Sequence, residues 1–355
     1  MSPQLVLLRH PAPSPDAAPA DAAEHSLRSD ELLREVELLM GRLAGGDRLE
    51  RTGVMVQEHL STGGKRIRAR LALSATAALG APRAQAVGWA AACELLHNAT
   101  LVHDDIQDGD LIRRGQPTTW VRHGVPQAIN AGDLLLMLPF LAVTLDVALA
   151  PVVQAGLSRA LAEHAARTVR GQAEEMDLLG GAHVDRVPYL RAVRGKTGGL
   201  FALPVEGAAL VAGFGEAEAR LLGETFTELG VLFQLQDDVL DLYGDKGRGL
   251  PGSDLKEGKV SALVVAHLER APQDRTWLLG LLRTPRDLTP QREVDEAIRR
   301  FRASGALSDV LDEIRAITER VRLDPHLAEL PALHSLALEL ATAATAPIRH
   351  LWGDR

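Results

Sequence analysis

Cysteine and aromatic residues are scarce in this chain of 355 residues, and each shortage excludes a class of protein. The single cysteine, Cys93, excludes a disulfide scaffold and a cysteine-rich zinc site, and it favours a reducing compartment. Aromatic residues make up 3% of the chain, too few for a base-stacking or carbohydrate-binding platform. The 39 basic residues are outnumbered by 47 acidic ones, which argues against a nucleic-acid binder. A soluble cytoplasmic enzyme or an interaction protein remains.

Long hydrophobic runs are also missing. The longest apolar stretch, residues 134–145, is interrupted by Pro139 and is shorter than the roughly 20 residues that a membrane-spanning helix needs. The first ten residues have no basic region ahead of their short apolar run, so they do not resemble a secretory signal. We therefore expect no membrane span, and a buried core helix at residues 134–145.

Helical periodicity dominates the chain from Ser26 onward. Leucine and alanine recur at three- and four-residue spacings, and long alternating strand patterns are absent. Glycine and proline interrupt the pattern at several places, none of which has the composition of a domain linker. Residues 1–25 are rich in proline and alanine and can bury little apolar surface, which predicts a flexible tail. The sequence thus predicts one all-α domain at residues 26–355.

A first acidic cluster, DDIQD, consists of Asp104, Asp105 and Asp108 and follows an apolar helical segment. Residues four apart on a helix share a face, so Asp104 and Asp108 point the same way and repel each other. One interpretation is a solvated acidic surface. The other is a cation site, because carboxylates on a buried helix need a positive partner and oxygen ligands suit Mg²⁺.

A second acidic cluster, DDVLD, consists of Asp237, Asp238 and Asp241 and repeats the same spacing after another apolar run. Two clusters of identical spacing are poorly explained as solvated surface charges. If they face each other across a cavity, they can hold several Mg²⁺ ions and, through these ions, a diphosphate. The pair therefore favours a metal site over an acidic surface.

Lysine is rare, with five residues among the 39 basic ones, so arginine is the default cation of this chain. Three of the five lysines stand in candidate anion sites: Lys65 in GGKRIR, Lys196 in GKTGG and Lys259 in SDLKEGK. We infer that a compact ammonium group is needed there, as a point charge against a phosphate.

Several arginines complete the candidate anion sites. Arg68 follows Lys65 in GGKRIR, and Arg113 and Arg114 follow the first acidic cluster. Guanidinium groups bind phosphate oxygens well, so these positions predict anion contacts. Arg66 and Arg70 are interpreted as surface charges.

The sequence Gly195-Lys196-Thr197 has the ending of a nucleotide-binding P-loop, but this interpretation fails. The position that should hold the first glycine is Leu190, and no strand precedes it. Ser/His/Asp and HExxH arrangements are not evident in the sequence either. His97 lies on the same predicted helix as the first acidic cluster and joins the candidate site.

Together these motifs resemble those of trans-isoprenyl diphosphate synthases, the polyprenyl synthetase family, and most closely geranylgeranyl diphosphate synthases. Six motifs occur in the family's order over residues 26–350: GGKRIR, ELLHNATLVHDDIQD, RRG, GKTGG, FQLQDDVLD and GSDLKEGK. The resemblance implies a helical bundle of the isoprenoid-synthase type around a deep central cavity, Mg²⁺ dependence and a homodimer. It also implies prenyl transfer between isopentenyl diphosphate and an allylic diphosphate.

The resemblance assigns roles to individual residues. The isopentenyl diphosphate site would consist of Lys65, Arg68, His97 and Arg114. Contacts to the allylic diphosphate would come from Arg113, Lys196, Thr197, Gln234 and Lys259. The main metal ligands would be Asp104, Asp108 and Asp237, with Asp105, Asp238 and Asp241 supporting them. Catalysis would depend most on Asp104, Asp108, Asp237 and Lys196.

The chain departs from the family pattern at two functional positions. Leu250 stands where many members have a lysine, which leaves Lys246 or Arg248 to replace that phosphate contact. The segment GQAEEMD stands where the family has GQxxD, so either Glu175 or Asp177 could supply the supporting carboxylate.

Two alternative functions share parts of this pattern. A terpene cyclase of the same fold also uses a DDxxD motif, but it binds one diphosphate and does not need GGKRIR. A non-catalytic regulatory subunit could lose its metal carboxylates, whereas both clusters are complete here.

Product length is expected to depend on the residues upstream of the first acidic cluster. Members that stop at fifteen carbons generally have an aromatic residue there, whereas this chain has Ala99 and Thr100. Leu96, two turns from Asp104, is the next candidate floor of the cavity. The resemblance therefore implies a product of about twenty carbons or more.

Overall fold

The protein is helical almost throughout in a computed structural model, which describes residues 20–45, 50–180, 184–244 and 251–353, with side chains from residue 31 onward. The helices are α1 (Ala20–Gly45), α2 (Arg51–Ser61), α3 (Ile67–Ala78), α4 (Val87–Gln107), α5 (Thr119–His123), α6 (Val125–Thr144), α7 (Pro151–Asp177), α8 (Arg186–Val193), α9 (Gly199–Val211), α10 (Glu216–Tyr243), α11 (Ser253–Lys256), α12 (Ala262–Arg270), α13 (Arg275–Leu282), α14 (Gln291–Ser304), α15 (Ala306–Arg322), α16 (Pro325–Ala328) and α17 (Pro331–Thr345). Within those ranges the only strands are β1 (Ile112–Arg113) and β2 (Gln116–Pro117), which form an antiparallel hairpin. The prediction of an all-α fold is confirmed.

Helices α4, α9 and α10 form the centre of the bundle. Every residue of α9 from Gly199 to Leu210 is buried, and α9 packs against α10, α3 and α7. A helix that is apolar on all sides has to lie inside the protein. Helix α4 approaches α9 closely: a Cβ atom on Gly207 would lie 1.9 Å from Cε2 of Trp89, so this position needs glycine. The indole nitrogen of Trp89 donates a hydrogen bond to the carbonyl oxygen of Pro204 at 3.0 Å.

Helix α6 is only half buried, so the prediction of a core helix at residues 134–145 holds for one face. Leu135 and Leu138 lie in the core against α4, but Met137, Leu141 and Leu145 are exposed. By length and composition alone, α6 is the one helix of the described ranges that could cross a membrane, and 44% of its apolar window is buried inside the protein.

The N-terminal boundary differs from the prediction. Helix α1 begins at Ala20 and therefore includes the last six residues of the predicted tail, whereas residues 1–19 lie outside the described part of the chain. Val36 and Met40 on α1 are buried, as the apolar spacing predicts. α1 packs against α4.

Candidate active site

The first acidic cluster is divided between two faces at the end of α4. Asp108 lies one residue past the helix, but its backbone N–H still donates to the carbonyl of Asp104 at 2.8 Å. The side chains of Asp104 and Asp108 are 16% and 17% exposed, so both are accessible to a ligand. Asp105 is 1% exposed and forms an ion pair with Arg113 on the β1–β2 hairpin. Burial raises the pKa of Asp105 to about 6, against the opposing effect of Arg113.

The second acidic cluster on α10 is divided in the same way. Asp237 is exposed. Asp238 is buried and accepts hydrogen bonds from the Tyr189 hydroxyl at 2.7 Å, the Ala262 backbone N–H at 2.7 Å and the Gln234 side chain at 2.9 Å. Burial raises the pKa of Asp238 to about 6 despite these donors.

Asp241, the last residue of that cluster, is also buried. It accepts hydrogen bonds from the Ser253 hydroxyl at 2.5 Å and the Asp254 backbone N–H at 3.1 Å. These bonds hold the start of α11 against α10. Asp238 and Asp241 therefore bond neighbouring segments to α10. Asp237 is the most exposed member of the cluster.

Two of the rare lysines contact the first acidic cluster. Lys259 donates to Asp108 at 2.8 Å and lies 2.9 Å from Glu257. Lys196 forms an ion pair with Glu175 and lies 3.8 Å from Asp104. Burial alone would lower the pKa of each lysine. The neighbouring carboxylates have the larger combined effect, so the pKa of each lysine is raised above its ordinary value. Both ammonium groups therefore stay charged beside the cluster.

The Lys196 contact also decides between the two candidate supporting carboxylates. Glu175 is partly buried and pairs with Lys196, whereas Asp177 is exposed at the end of α7. The structure therefore brings Glu175 to the site. The other departure from the family pattern, Leu250 with Lys246 and Arg248, lies outside the described residues.

A π-helical segment, Arg194–Gly198, joins the two clusters. Lys196 points to α4, while the hydroxyl of its neighbour Thr197 donates to Gln234 on α10 at 3.0 Å. Glycines on the flanking helices leave room for the backbone of this segment. A Cβ on Gly171 would lie 2.3 Å from the backbone nitrogen of Lys196, and one on Gly230 would lie 2.6 Å from the Cα of Gly198. Continuous contacts thus run from Asp104 through this segment to the second cluster.

The GGKRIR segment shapes a basic pocket beside the first cluster. Lys65 and Arg70 are exposed, but the interpretation of Arg66 as a surface charge is wrong. Arg66 is 5% exposed and donates to Glu37 at 3.0 Å and to the carbonyl of Leu60 at 2.8 Å. Its backbone has a φ of 49°, in the left-handed region, and this turn directs the side chain back into the protein.

The rest of the basic pocket comes from three elements. Arg114, on the hairpin loop, donates to the carbonyl of Gly63. A Cβ on Gly64 would lie 2.6 Å from the Arg114 guanidinium carbon, so glycine is required for this approach. Nε of Arg68 and Nδ1 of His97 are buried and have no hydrogen-bond partner among the described residues. Buried polar atoms without a partner in the protein are expected where a bound ligand would supply one.

Buried charge in this pocket is balanced by a residue that the sequence did not single out. Glu94 on α4 is buried and accepts from the backbone N–H of Ala69 at 3.2 Å. It lies 4.0 Å from Arg66. Burial lowers the pKa of Arg68, and the negative charge of Glu94 opposes this shift. A search for acidic clusters misses Glu94 because it is a single glutamate in an apolar helix.

The candidate chain-length residues lie directly below the first cluster on α4. Thr100 is partly exposed and donates to the carbonyl of His97 at 2.8 Å. Ala99 is fully buried and Leu96 is 2% exposed. Thr100 is therefore the member of this set that solvent reaches.

Histidine burial predicts a loss of stability in acid. Burial, followed by the charge of Arg114, lowers the pKa of His59 to about 4, and similar causes lower that of His97 well below its ordinary value. Between pH 6.5 and 4 the unfolded chain binds more protons than the folded one, so stability is complete above pH 6.5 and decreases as the pH falls. His59 alone contributes on the order of 3 kcal/mol to this decrease. Urea unfolding of the parent and of His59→Gln at several pH values should show a flatter profile for the variant.

The exposed His326 provides the control for this prediction. His326→Gln should leave the pH profile of the parent unchanged. An equal slope for His59→Gln and the parent would contradict the assignment of the acid sensitivity to His59.

The chain is similar to known proteins in sequence and in fold. The polyprenyl synthetase family model matches residues 50–301. A short chain isoprenyl diphosphate synthase of Methanothermobacter thermautotrophicus is 35% identical over 323 residues, 89% of this chain and 94% of that protein. A geranylfarnesyl diphosphate synthase of Aeropyrum pernix is 33% identical, covering 79% and 88% of the two chains. The crystal structure of a geranylgeranyl pyrophosphate synthetase from Pyrococcus horikoshii superposes with a TM-score of 0.77 at 29% identity, covering 90% of this chain and 99% of that one.

Proposed function

The chain belongs to the polyprenyl synthetase family, and we propose that it joins isopentenyl diphosphate head-to-tail to an allylic diphosphate with release of pyrophosphate. The observation that carries the proposal is the pair of acidic clusters connected through Lys196, Thr197 and Gln234. The basic pocket around Arg68 lies next to the first cluster and provides for a second diphosphate. This arrangement can accommodate two substrates, each with a diphosphate group.

The carboxylates of the site fit Mg²⁺. Asp104, Asp108 and Asp237 would hold the ions, since all three offer accessible oxygen atoms. Among the described residues no group of three or more potential ligands is already gathered. Mg²⁺ commonly binds one or two carboxylates together with substrate phosphates, so we expect the ions to bind jointly with a diphosphate. When bound, Mg²⁺ would neutralise the charge of the departing pyrophosphate.

The reaction then needs positioning and electrostatics, without a protein nucleophile. Lys196, Lys259 and Arg113 hold the allylic diphosphate while its C–O bond breaks and both electrons leave with pyrophosphate. Lys65, Arg68 and Arg114 hold isopentenyl diphosphate so that its double bond supplies the electron pair for the new C–C bond. The released pyrophosphate, a basic group left beside the new bond, accepts the proton that is then lost.

A neutral His97 suits the second substrate. Its pKa is held well below the ordinary value by burial and then by Arg68, so the ring is uncharged at neutral pH. A neutral imidazole can still donate one hydrogen bond to a diphosphate oxygen. This donor adds to the binding that Lys65, Arg68 and Arg114 provide.

The experiment that tests the function is an assay of the purified protein with labelled isopentenyl diphosphate and farnesyl diphosphate. A prenyl transferase transfers the label into a longer diphosphate. Release of a hydrocarbon or alcohol from farnesyl diphosphate alone would indicate a terpene cyclase. Incorporation only when a second synthase is added would indicate a regulatory subunit.

Separate variants should distinguish the two substrate sites. Lys65→Ala is expected to raise the KM for isopentenyl diphosphate by about 10- to 100-fold, because a charge-assisted hydrogen bond is lost. Lys196→Ala should do the same for the allylic substrate. Steady-state kinetics with each substrate varied in turn measures both effects. Arg322→Ala is the control, since Arg322 is an exposed basic residue that pairs with Glu319 on α15, a helix that carries none of the candidate site residues. Equal effects on both substrates would refute this division.

We also propose a homodimer formed through α6. Every fourth residue of its outer face is exposed, and all but Asp133 are apolar: Val125, Ile129, Met137, Leu141 and Leu145. An apolar stripe of this kind, interrupted only by Asp133, is typical of an interface. We propose that a second copy of this chain, and not a lipid surface, covers this stripe in the cytoplasm.

Light scattering coupled to size exclusion tests the dimer. The parent should elute as a dimer, and Met137→Glu with Leu141→Glu should shift it towards the monomer. Leu323→Glu, at an exposed position elsewhere, should remain dimeric. A monomeric parent would overturn the proposal.

A further inference from the structure

Two of the six phenylalanines form a stack in the site of a chain that has few aromatic residues. The rings of Phe201 on α9 and Phe233 on α10 lie 4.7 Å apart at an angle of 30°. They are the one stacked pair of phenyl rings in the part of the chain that the structure describes. Core packing alone does not require an aromatic pair at this place, since leucine and alanine fill most of the core.

The pair lies at the boundary between the two substrate sites. The guanidinium of Arg68 lies 5.1 Å from the centre of the Phe201 ring, on the isopentenyl side. Phe233 immediately precedes Gln234, on the allylic side. The stack therefore lies between residues that we assign to the two substrates.

Phe233 also lies one helical turn below the second acidic cluster. It is four residues before Asp237, so the two side chains share a face of α10 about 6 Å apart along the axis. Phe201 is 2% exposed, whereas Phe233 is only partly buried and keeps accessible surface. On α4, Thr100 has the same relation to Asp104. A carbon attached to a diphosphate held by the clusters would enter the protein at this level.

We propose that the ring of Phe233, held in place by Phe201, stabilises the allylic cation through a cation–π interaction. The inference rests on the proposed function. When the C–O bond breaks, both electrons leave with pyrophosphate, and the carbon is positive until the double bond of isopentenyl diphosphate supplies a pair. An aromatic face stabilises such a cation without forming a bond to it. A desolvated cation gains most from this contact.

Loss of the ring should lower turnover and spare binding. Phe233→Leu is expected to reduce kcat about 30-fold, while both KM values stay close to those of the parent. Phe233→Tyr keeps the aromatic face and should restore most of the activity. Circular dichroism confirms that each variant is folded.

The decisive test varies the ring electronically at constant shape. Phenylalanines with one, two and three ring fluorines, introduced at position 233, weaken cation–π interactions step by step. The logarithm of kcat should fall with each fluorine. The same series at Phe226 is the matched control, because Phe226 is fully buried on the same helix, two turns deeper.

A flat series at position 233, or equal slopes at positions 233 and 226, would overturn the proposal. Both outcomes are measured relative to a parent enzyme that is active. A parent that does not transfer the prenyl group would instead refute the proposed function, so the two failures are distinguishable.

Discussion

Replacing Asp104 or Asp237 by alanine is expected to abolish turnover, with a loss of about 1,000-fold or more, because each removes carboxylate oxygens that we propose to hold Mg²⁺ and, through it, the diphosphate. Helix content and melting temperature should change little. Asp237 is exposed, and burial raises the pKa of Asp104, so neither charge stabilises the fold strongly. Single-turnover assays measure the chemistry, and calorimetry with Mg²⁺ and pyrophosphate, added separately and together, measures the joint binding.

Asp177→Ala is the matched control, because Asp177 is an exposed carboxylate on α7 that does not reach Lys196 in the structure. It should retain parental activity, whereas Glu175→Ala should not. Unaltered activity in Asp104→Ala or Asp237→Ala would refute the model of two metal-binding clusters.

A phenylalanine at position 100 is expected to shorten the product from about twenty carbons or more to fifteen. Thr100 is partly exposed one turn below Asp104, so a bulky ring there would extend into the space that the growing chain needs. Chromatography of the dephosphorylated products compares Thr100→Phe with the parent.

Ala99→Phe is the companion variant. Ala99 has no exposed surface, so a ring at this position has to displace packed neighbours, and we expect shortening together with a lower melting temperature. Thr100→Ser is the control for the loss of threonine itself and should keep the parental product. A parent product of fifteen carbons, or no shortening in either phenylalanine variant, would overturn the argument.

The sequence alone was sufficient to predict the helical fold, and it singled out the residues of the candidate site. Both depend on local patterns: apolar residues at helical spacing, and carboxylates that stand four apart on a helix. The scarcity of lysine singled out Lys196 and Lys259, and both contact the first acidic cluster. Such signals can be read without a structure because they arise within one turn or one helix.

The tertiary structure decided which of those residues face the site. Asp105, Asp238 and Asp241 belong to the same motifs as the accessible carboxylates, yet each is buried and bonded to a donor from another element. Arg66 is buried beside Glu37, and Glu175 rather than Asp177 pairs with Lys196. The β1–β2 hairpin and the Phe201–Phe233 stack left no sequence pattern that we recognised.

These outcomes share one physical reason. A helix directs neighbouring side chains to different sides, and only the packing of other elements determines which side becomes the site. Lys259 and Asp108, for example, are 151 residues apart and meet at 2.8 Å. Spacing within a motif determines which side chains share a face, whereas contacts of this range exist only once the whole bundle has assembled.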